Sequence, residues 1–464
     1  MSLALSAKLA AARAVGGITR RAGRGGTSLP GKVLIRLEPH AISELSARLP
    51  RGTAIVSATN GKTTTAAMVA SIMRRAGVAL VHNRAGANMA GGVASALLDA
   101  AHNRGIDGEL GLFEVDEFWL DRIMPQLGPR AVLLGNLFRD QLDRYGELET
   151  IADRWAAAVA QLPSSSALVL NADDPLVADL GRGGANATYF GVEDPSVAMP
   201  EMQHASDSKH CRRCGAAYVY DAIYLGHLGF YRCVSCGRQR PAPHVAAERI
   251  ALEGTRSASF VLRTPVGEAR VALPLPGLYN VYNALGAAAL CLELSIDLDT
   301  VVAGLEAVTA AFGRAETVAI GSTQLQVLLV KNPAGANEIL RTLALEDGEL
   351  ELLAILNDRT ADGRDISWIW DADFELLASH LGRVTCAGTR AAELALRLKY
   401  AGVAGKRLDV RPELASALDA AVSHAGSERL FVLPTYTALL ELHSLLASRG
   451  FVHQFWERAG SAVP

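Results

Sequence analysis

Three groups of residues carry types and spacings that could do chemistry. The first is Ser57-Ala58-Thr59-Asn60-Gly61-Lys62-Thr63-Thr64-Thr65, with a Gly-Lys-Thr core. Gly61 lets backbone N–H groups turn toward phosphate oxygens, and Lys62 offsets their charge. The Thr63 hydroxyl can ligate Mg²⁺, and a following helix adds its N-terminal dipole. Val56 stands where the usual phosphate loop has its first glycine. A bare Gly-Lys-Thr occurs often by chance, so its weight comes from a strand before it and a helix after it. The second group is Cys211-x-x-Cys214 and Cys233-x-x-Cys236, 18 residues apart. That spacing suits a tetrahedral thiolate site, and four thiolates leave no open position, so a structural zinc is expected. Gly215 and Gly237 follow each pair, where tight turns are needed. The third group, Asn357 to Asp371, packs Asp358, Asp362, Asp365 and Asp371 with Trp368 and Trp370 behind an apolar run.

Elements must hold these groups in place. Residues 53–57 read as a buried strand and 63–76 as a helix, the opening of an α/β unit. Apolar runs at 110–115, 131–135 and 167–170 alternate with helical stretches such as 92–102 and 148–161. That pattern predicts a parallel sheet with helices on both faces. Residues 204–244 break it and read as an insertion with its own metal core. Strand-like alternation returns over 247–273, and 277–311 is helical and Ala-rich. A second α/β pattern begins near 317, with strands at 326–330, 351–356, 382–386 and 429–433. Helices at 336–343, 390–400, 412–424 and 436–448 separate them. Loops after such parallel strands are where α/β domains keep ligands, which draws attention to Asn357–Asp371.

The whole chain bounds the rest. At 464 residues it exceeds one ordinary core, and half of it is apolar and a fifth charged. A net charge of −3 gives no global nucleic-acid footprint, although Arg212, Arg213, Arg232, Arg238 and Arg240 cluster around the cysteines. No secretory signal accompanies the cysteines, so a reducing compartment is expected; Cys291 and Cys386 read as core residues. Residues 1–36 carry Lys8, Arg13, Arg20, Arg21, Arg24, Lys32 and Arg36 and no acid. Residues 3–15 could form an amphipathic helix, either a solvated leader or a membrane-surface contact. No run of about 18 uncharged apolar residues exists to span a membrane.

The phosphate loop resembles that of the Mur ligase family, and further motifs follow in the same order. Glu114 matches the family's magnesium-binding Glu. Asn136 opens a segment similar to the family's Thr-Asn…Asp-His-Leu-Asp, with Gln141 in place of the His. Asn171-Ala172-Asp173-Asp174-Pro175 matches Asn-x-Asp-Asp-Pro, and Gly277-Leu278-Tyr279-Asn280-Val281-Tyr282-Asn283-Ala284 matches a motif whose first Asn lies near adenine. Gly313-Arg314-Ala315-Glu316 and Asn332-Pro333 complete the series. The resemblance spans about residues 50 to 450. It implies a Mur-type middle domain over 51–316 with a zinc-ribbon insertion over about 204–244. A Rossmann-like C-terminal domain would span 317–464, and a helical leader 1–50. Only about 50 residues precede the loop, too few for the domain with which stem-peptide Mur ligases hold the uridine nucleotide.

The four-Cys ribbon and the Asp-Gly-x-Asp-x-Ser-Trp-x-Trp-Asp segment are similar to the MurT branch, the ligase subunits of lipid II isoglutaminyl synthase. This implies ATP-dependent amidation of the α-carboxyl of D-glutamate in the lipid II stem peptide. Ammonia would come from a GatD-like glutamine amidotransferase in a heterodimer, at the inner face of the bacterial membrane. The implied ATP-binding residues are Asn60, Gly61, Lys62, Thr63, Thr64, Asn280 and Arg314, with Mg²⁺ on Thr63 and Glu114. Cys211, Cys214, Cys233 and Cys236 would hold structural Zn²⁺. Asp365 is the residue assigned to complete the partner's Cys-His-Asp triad, with Asp358, Asp362 and Asp371 as neighbours; Lys62 and Glu114 are assigned to the ligase step. A stand-alone amino-acid ligase of Mur or folylpolyglutamate type is the alternative enzyme. A non-catalytic nucleotide- or nucleic-acid-binding scaffold is the alternative from another class.

Overall fold

The computed structural model describes residues 3–21, 28–83, 86–102, 105–140, 148–183, 186–203, 206–309, 314–426 and 429–452. Gln141 lies outside these residues, and so does the side chain of Arg314.

The strand Thr53–Ser57 is buried along its whole length, as a central strand of a parallel sheet must be. Its side chains alternate between two cores. Ala54 and Val56 face the core formed with Met68, Ile72, Val281 and Leu285. Ile55 faces the opposite core with Leu97, Ile123 and Trp155. Leu133 against Val132, and Val169 against Leu168, divide the same way. The period of two along each strand therefore produces a sheet covered on both faces.

Among the described residues this sheet has nine strands. Their order is Gly267–Leu273, Ser257–Thr264, Val245–Glu253, Ala187–Val192, Ala167–Asn171, Ala131–Leu134, Thr53–Ser57, Leu110–Glu114 and Leu80–His82. Pairing is parallel from Val245–Glu253 to Leu80–His82, and the last two strands beyond Val245–Glu253 are antiparallel. The expected parallel sheet thus gains an antiparallel edge, because short turns at Gly254 and Gly267 fold the chain back directly instead of crossing over. The helix Lys62–Arg75 packs beside Leu278–Glu293 and Leu298–Glu306 on one face. The helices Ala90–Ala100, Leu120–Leu127 and Leu148–Val159 cover the other.

The helix Leu3–Arg21 is not a solvated leader. Leu5, Leu9 and Ala12 are buried against the helices Leu29–Leu37 and Ala90–Ala100, and Lys8 pairs with Glu38 at 2.8 Å. Each buried leucine contributes roughly 1.5–3 kcal/mol. Its apolar face is thereby occupied within the chain. No helix among the described residues is long and apolar enough to cross a membrane.

A second sheet has the order Arg314–Ile320, Thr323–Leu328, Arg429–Pro434, Leu350–Ile355, Leu381–Ala387, Leu408–Val410. Only its first pair is antiparallel. The helices Pro333–Leu343 and Ala391–Tyr400 cover one face, and Leu414–Ala425 and Tyr436–Ser448 the other.

Candidate nucleotide and metal sites

The phosphate loop joins the Thr53–Ser57 strand to the Lys62–Arg75 helix. Gly61 caps the helix with φ +87°, a conformation open to glycine. A Cβ at Gly61 would stand 2.0 Å from Asn283 Oδ1, so the close approach demands glycine as well. The helix has no acidic residue in its first turn and no side-chain cap, which leaves its positive end to an anion.

Lys62 is buried. Its Nζ lies 2.6 Å from Glu117 Oε2 and also donates to the carbonyls of Ala58 and Thr59. Burial works against its charge, but the carboxylates of Glu117, Asp116 and Glu114 outweigh it and raise the ammonium above its ordinary value. Thr63 Oγ1 donates to Glu114 Oε1 at 3.1 Å. The Asn83 side chain grips the Glu114 backbone on both its N–H, at 2.9 Å, and its carbonyl, at 2.8 Å. A hydroxyl beside a strand-end carboxylate is an oxygen donor set suited to a hard divalent cation.

Two other segments close on the loop. Asn136 accepts from Asn60 N–H at 2.9 Å and donates to Asn60 O at 3.0 Å. Asn332, which caps the Pro333–Leu343 helix, donates to Asn60 Oδ1 at 3.0 Å. Lys331 reaches Asp140 at 2.5 Å. From the helix Leu278–Glu293, Asn283 accepts from Thr65 Oγ1 at 3.2 Å and donates to Asn280 at 3.0 Å; Asn280 donates to Pro276 O at 2.8 Å. Thr64 is buried in the helix's first turn. The structure thus gathers Asn60, Gly61, Lys62, Thr63, Thr64, Glu114 and Asn280 around one loop. Asp365 lies apart, in the C-terminal half.

Glu117 and Asn83 escaped the sequence reading. Glu117 sits three residues beyond Glu114 in the same segment, a signal that was available. Asn83 is 31 residues from Glu114 and carries no local signature.

At the ribbon, Cys211, Cys214, Cys233 and Cys236 hold their Sγ atoms within 4.8 Å of one another. Gly215 N–H bonds to Cys211 O at 2.8 Å and Gly237 N–H to Cys233 O at 3.0 Å, with φ +74° and +73° at the two glycines. These are the expected knuckle turns. The Cys214–Cys233 and Cys211–Cys236 sulfurs are 3.4 and 3.6 Å apart, beyond a disulfide bond. Burial alone would raise the Cys211 thiol, but hydrogen bonds led by the Arg213 N–H bring it down to about 6. The Arg238 N–H alone would lower the Cys236 thiol of the same cluster, but burial and hydrogen bonds with the other three cysteines push it up to about 11, so these thiols titrate together. Their four converging sulfurs fit a soft tetrahedral cation. The ribbon arginines are largely neutralised: Arg212 by Asp153, Arg232 by Asp221, Arg238 by Asp179, and Arg240 by Asp173 and Glu193.

The acidic segment of the C-terminal half sorts itself by contact. Asp362 is buried and accepts from Thr437 N–H at 2.7 Å. Asp358 is held by Thr389 at 2.8 Å and Arg390 at 2.7 Å. Asp371 stands 4.0 Å from Arg139. Asp365 is exposed and accepts from the nearby Ser367 N–H at 2.8 Å; hydrogen bonds from the Ser367 backbone and then its side chain hold the carboxyl below the usual range. Trp370 and Tyr400 meet edge to face at 5.7 Å and stay 50% and 72% exposed.

A phosphate loop on a doubly covered sheet, met by a cap residue from a second α/β sheet, is the architecture of a Mur-type ligase. Residues 56–218 match the Mur ligase middle domain and 329–439 the MurT ligase C-terminal family. The MurT subunit of lipid II isoglutaminyl synthase (glutamine-hydrolyzing) from Streptococcus pneumoniae is 31% identical over 98% of this chain and 99% of its own. The chain belongs to the Mur ligase family, in its MurT branch, and is a ligase of that family. In fold it is similar to a pseudomurein peptide ligase type C from Methanothermus fervidus. The TM-score there is 0.66 at 23% identity, covering 88% of this chain and 80% of that one. It is similar also to MurF ligase from Thermotoga maritima in complex with ADP. For that pair the TM-score is 0.63 at 12% identity, covering 91% of this chain and 85% of that one.

Proposed function

We propose that this chain is the ligase subunit that converts the α-carboxyl of D-glutamate in the lipid II stem peptide to the amide of D-isoglutamine. The observation that carries this reading is the likeness to the MurT subunit of Streptococcus pneumoniae along nearly the full length of both chains.

A carboxylate is a poor electrophile at neutral pH, so it must first be activated. ATP transfers its γ-phosphoryl group to the carboxylate oxygen, ADP leaves, and an acyl phosphate results. Ammonia then attacks the carbonyl carbon and expels phosphate, giving the amide. The open end of the Lys62–Arg75 helix and the Gly61 turn bind the phosphates, with Asn60 and Thr64 beside them. Lys62 exchanges its contact with Glu117 for phosphate oxygens and steadies the transferring group. Asn280 lies toward the nucleotide's base, and Arg314 is a further ATP-binding residue. Thr63 and Glu114 would hold Mg²⁺, which when bound supplies positive charge to the phosphate oxygens. Zn²⁺ on the four cysteines would be structural, since all its positions are filled.

Ammonia comes from a GatD-like glutamine amidotransferase in a heterodimer. Asp365 completes that partner's Cys-His-Asp triad. Its exposure supports this reading over Asp358 and Asp362, whose carboxylates are held by Thr389, Arg390 and Thr437 within the chain. Exposed Trp370 and Tyr400 suit a partner contact nearby. The lipid-linked substrate puts the complex at the inner face of the membrane.

The chain should co-purify with a Cys-His glutaminase, and the complex with glutamine and Mg-ATP should shift lipid II by the carboxyl-to-amide mass change. ATP hydrolysis without that shift sinks the proposal.

A further inference from the structure

Residues 136–140 form a junction whose contacts carry a consequence for the ribbon. On one side this segment is bound to the phosphate loop. Thr59 N–H donates to Asn136 O at 2.9 Å, and Phe138 N–H donates to Thr59 Oγ1 at 3.1 Å. The same Thr59 hydroxyl donates back to Phe138 O at 3.3 Å, and Asn136 brackets both backbone groups of Asn60. Residues 59–60 therefore move with 136–138.

On its other side the segment is gripped by the cysteine-bearing insertion. Buried Asp207 accepts from Arg139 N–H at 2.8 Å and from Arg139 Nε at 2.5 Å. Ser208, the next residue, holds φ +50°, a conformation that persists for a non-glycine residue only where its surroundings enforce it. The hairpin of Tyr218–Leu225 and Leu228–Cys233 turns at Gly226 and His227. The His227 ring is fully buried, 4.7 Å from the Phe138 ring and 3.5 Å from Asp174. Asp174 in turn accepts from Leu137 N–H at 2.9 Å. A Cβ at Gly226 would stand 2.9 Å from Phe138, so hairpin tip and segment are in close contact. At its base the hairpin ends in Cys233, and Tyr218 and Tyr231 pack on Cys211 and Cys233.

We propose that the ribbon insertion braces the phosphate loop, with Asp207 and His227 as positioning residues that set nucleotide affinity through residues 136–140. The four-cysteine site orders the hairpin's base, the hairpin's tip and Asp207 fix the segment, and the segment fixes Thr59 and Asn60. The described contacts of both side chains are with Arg139, Phe138 and Asp174 and not with residues 57–65. The inference rests on the reading that residues 57–65 bind nucleotide.

The test is calorimetric titration of Mg-ADP into the full-length chain, with zinc content and melting temperature measured in parallel. Asp207→Ala removes two bonds to Arg139, one of them to its charged guanidinium, and should weaken ADP binding about five- to tenfold while zinc content stays at the wild-type level. Asp207→Asn keeps an oxygen for the Arg139 N–H and should recover most of that affinity. His227→Ala should weaken binding in the same direction with zinc retained. Cys211→Ser, which loses the metal, should also weaken ADP binding, and it decides the matter if the other variants fold poorly. A lower melting temperature with unchanged ADP affinity in these variants means a merely structural insertion and overturns the proposal. Wild-type chain that does not bind ADP overturns the nucleotide reading instead.

Discussion

Lys62 is held in a buried ion pair, and that changes what its removal does. Without it, the buried Glu117 carboxylate loses its ion-pair partner and keeps only the Lys331 charge to offset it, and burial already pushes that carboxyl up against the pull of both lysines. Lys62→Ala should therefore abolish ATP turnover and also cost about 2–4 kcal/mol of stability. Replacing both partners, Lys62→Met with Glu117→Gln, should restore most of the urea midpoint but none of the turnover. A double variant that hydrolyses ATP at the wild-type rate refutes the assignment of Lys62. Asp365 belongs to the same scale. Asp365→Asn should remove glutaminase activity of the complex and leave amidation driven by added ammonium. If ammonium-driven amidation fails too, Asp365 serves the ligase site instead.

At the scale of elements, the start of the Lys62–Arg75 helix is set by its neighbour. Gly61 is both left-handed and pressed against Asn283 of the Leu278–Glu293 helix. Gly61→Ala must displace the Asn283 side chain, with its bond to Thr65, and strain a left-handed turn. Mg-ADP affinity should fall by at least about tenfold, with overall helix content by circular dichroism unchanged. Wild-type affinity in that variant means the loop tolerates a Cβ and the close approach is not required. The strand and helix around this glycine were legible from sequence, because a β-branched run and a helical run flank a short motif. The Asn283 contact was not, since it joins elements about 218 positions apart.

Across the whole molecule, several contacts among the described residues join the two large sheets. Near the loop the contacts are Asn60 to Asn332 and Asp140 to Lys331. Farther off, Glu346 accepts from Thr255 N–H at 2.6 Å and pairs with Arg429, while Gln326 donates to Thr255 O at 2.9 Å. Burial alone would raise the Glu346 carboxyl, but the Thr255 and Arg429 hydrogen bonds outweigh it and hold it below the usual range. A depressed folded-state pKa contributes stability above the unfolded value of about 4.3, lost as pH falls through the folded value. Between about pH 6 and pH 3, wild-type should lose more thermal stability than Glu346→Gln, by on the order of 1 kcal/mol. Equal losses in the two proteins would mean that this clasp does not report on acid.

The chemical types at the phosphate loop and the ribbon were set by sequence alone. Each is a short contiguous pattern whose spacing dictates local geometry: glycine before lysine at a helix start, and glycine after each Cys-x-x-Cys. The alternation of apolar residues likewise determined two covered sheets, because a strand's side chains must point to opposite faces. Tertiary structure decided what faces those patterns. It buried the basic N-terminal helix, paired Lys62 with Glu117, set Asn83 behind Glu114, and joined the insertion to residues 136–140 through Asp207 and His227. These contacts link residues about 30 to 90 positions apart, and which groups meet depends on how whole faces pack, which no local spacing encodes. The phosphate loop was readable as a motif; its lysine's partner and its brace came from the fold.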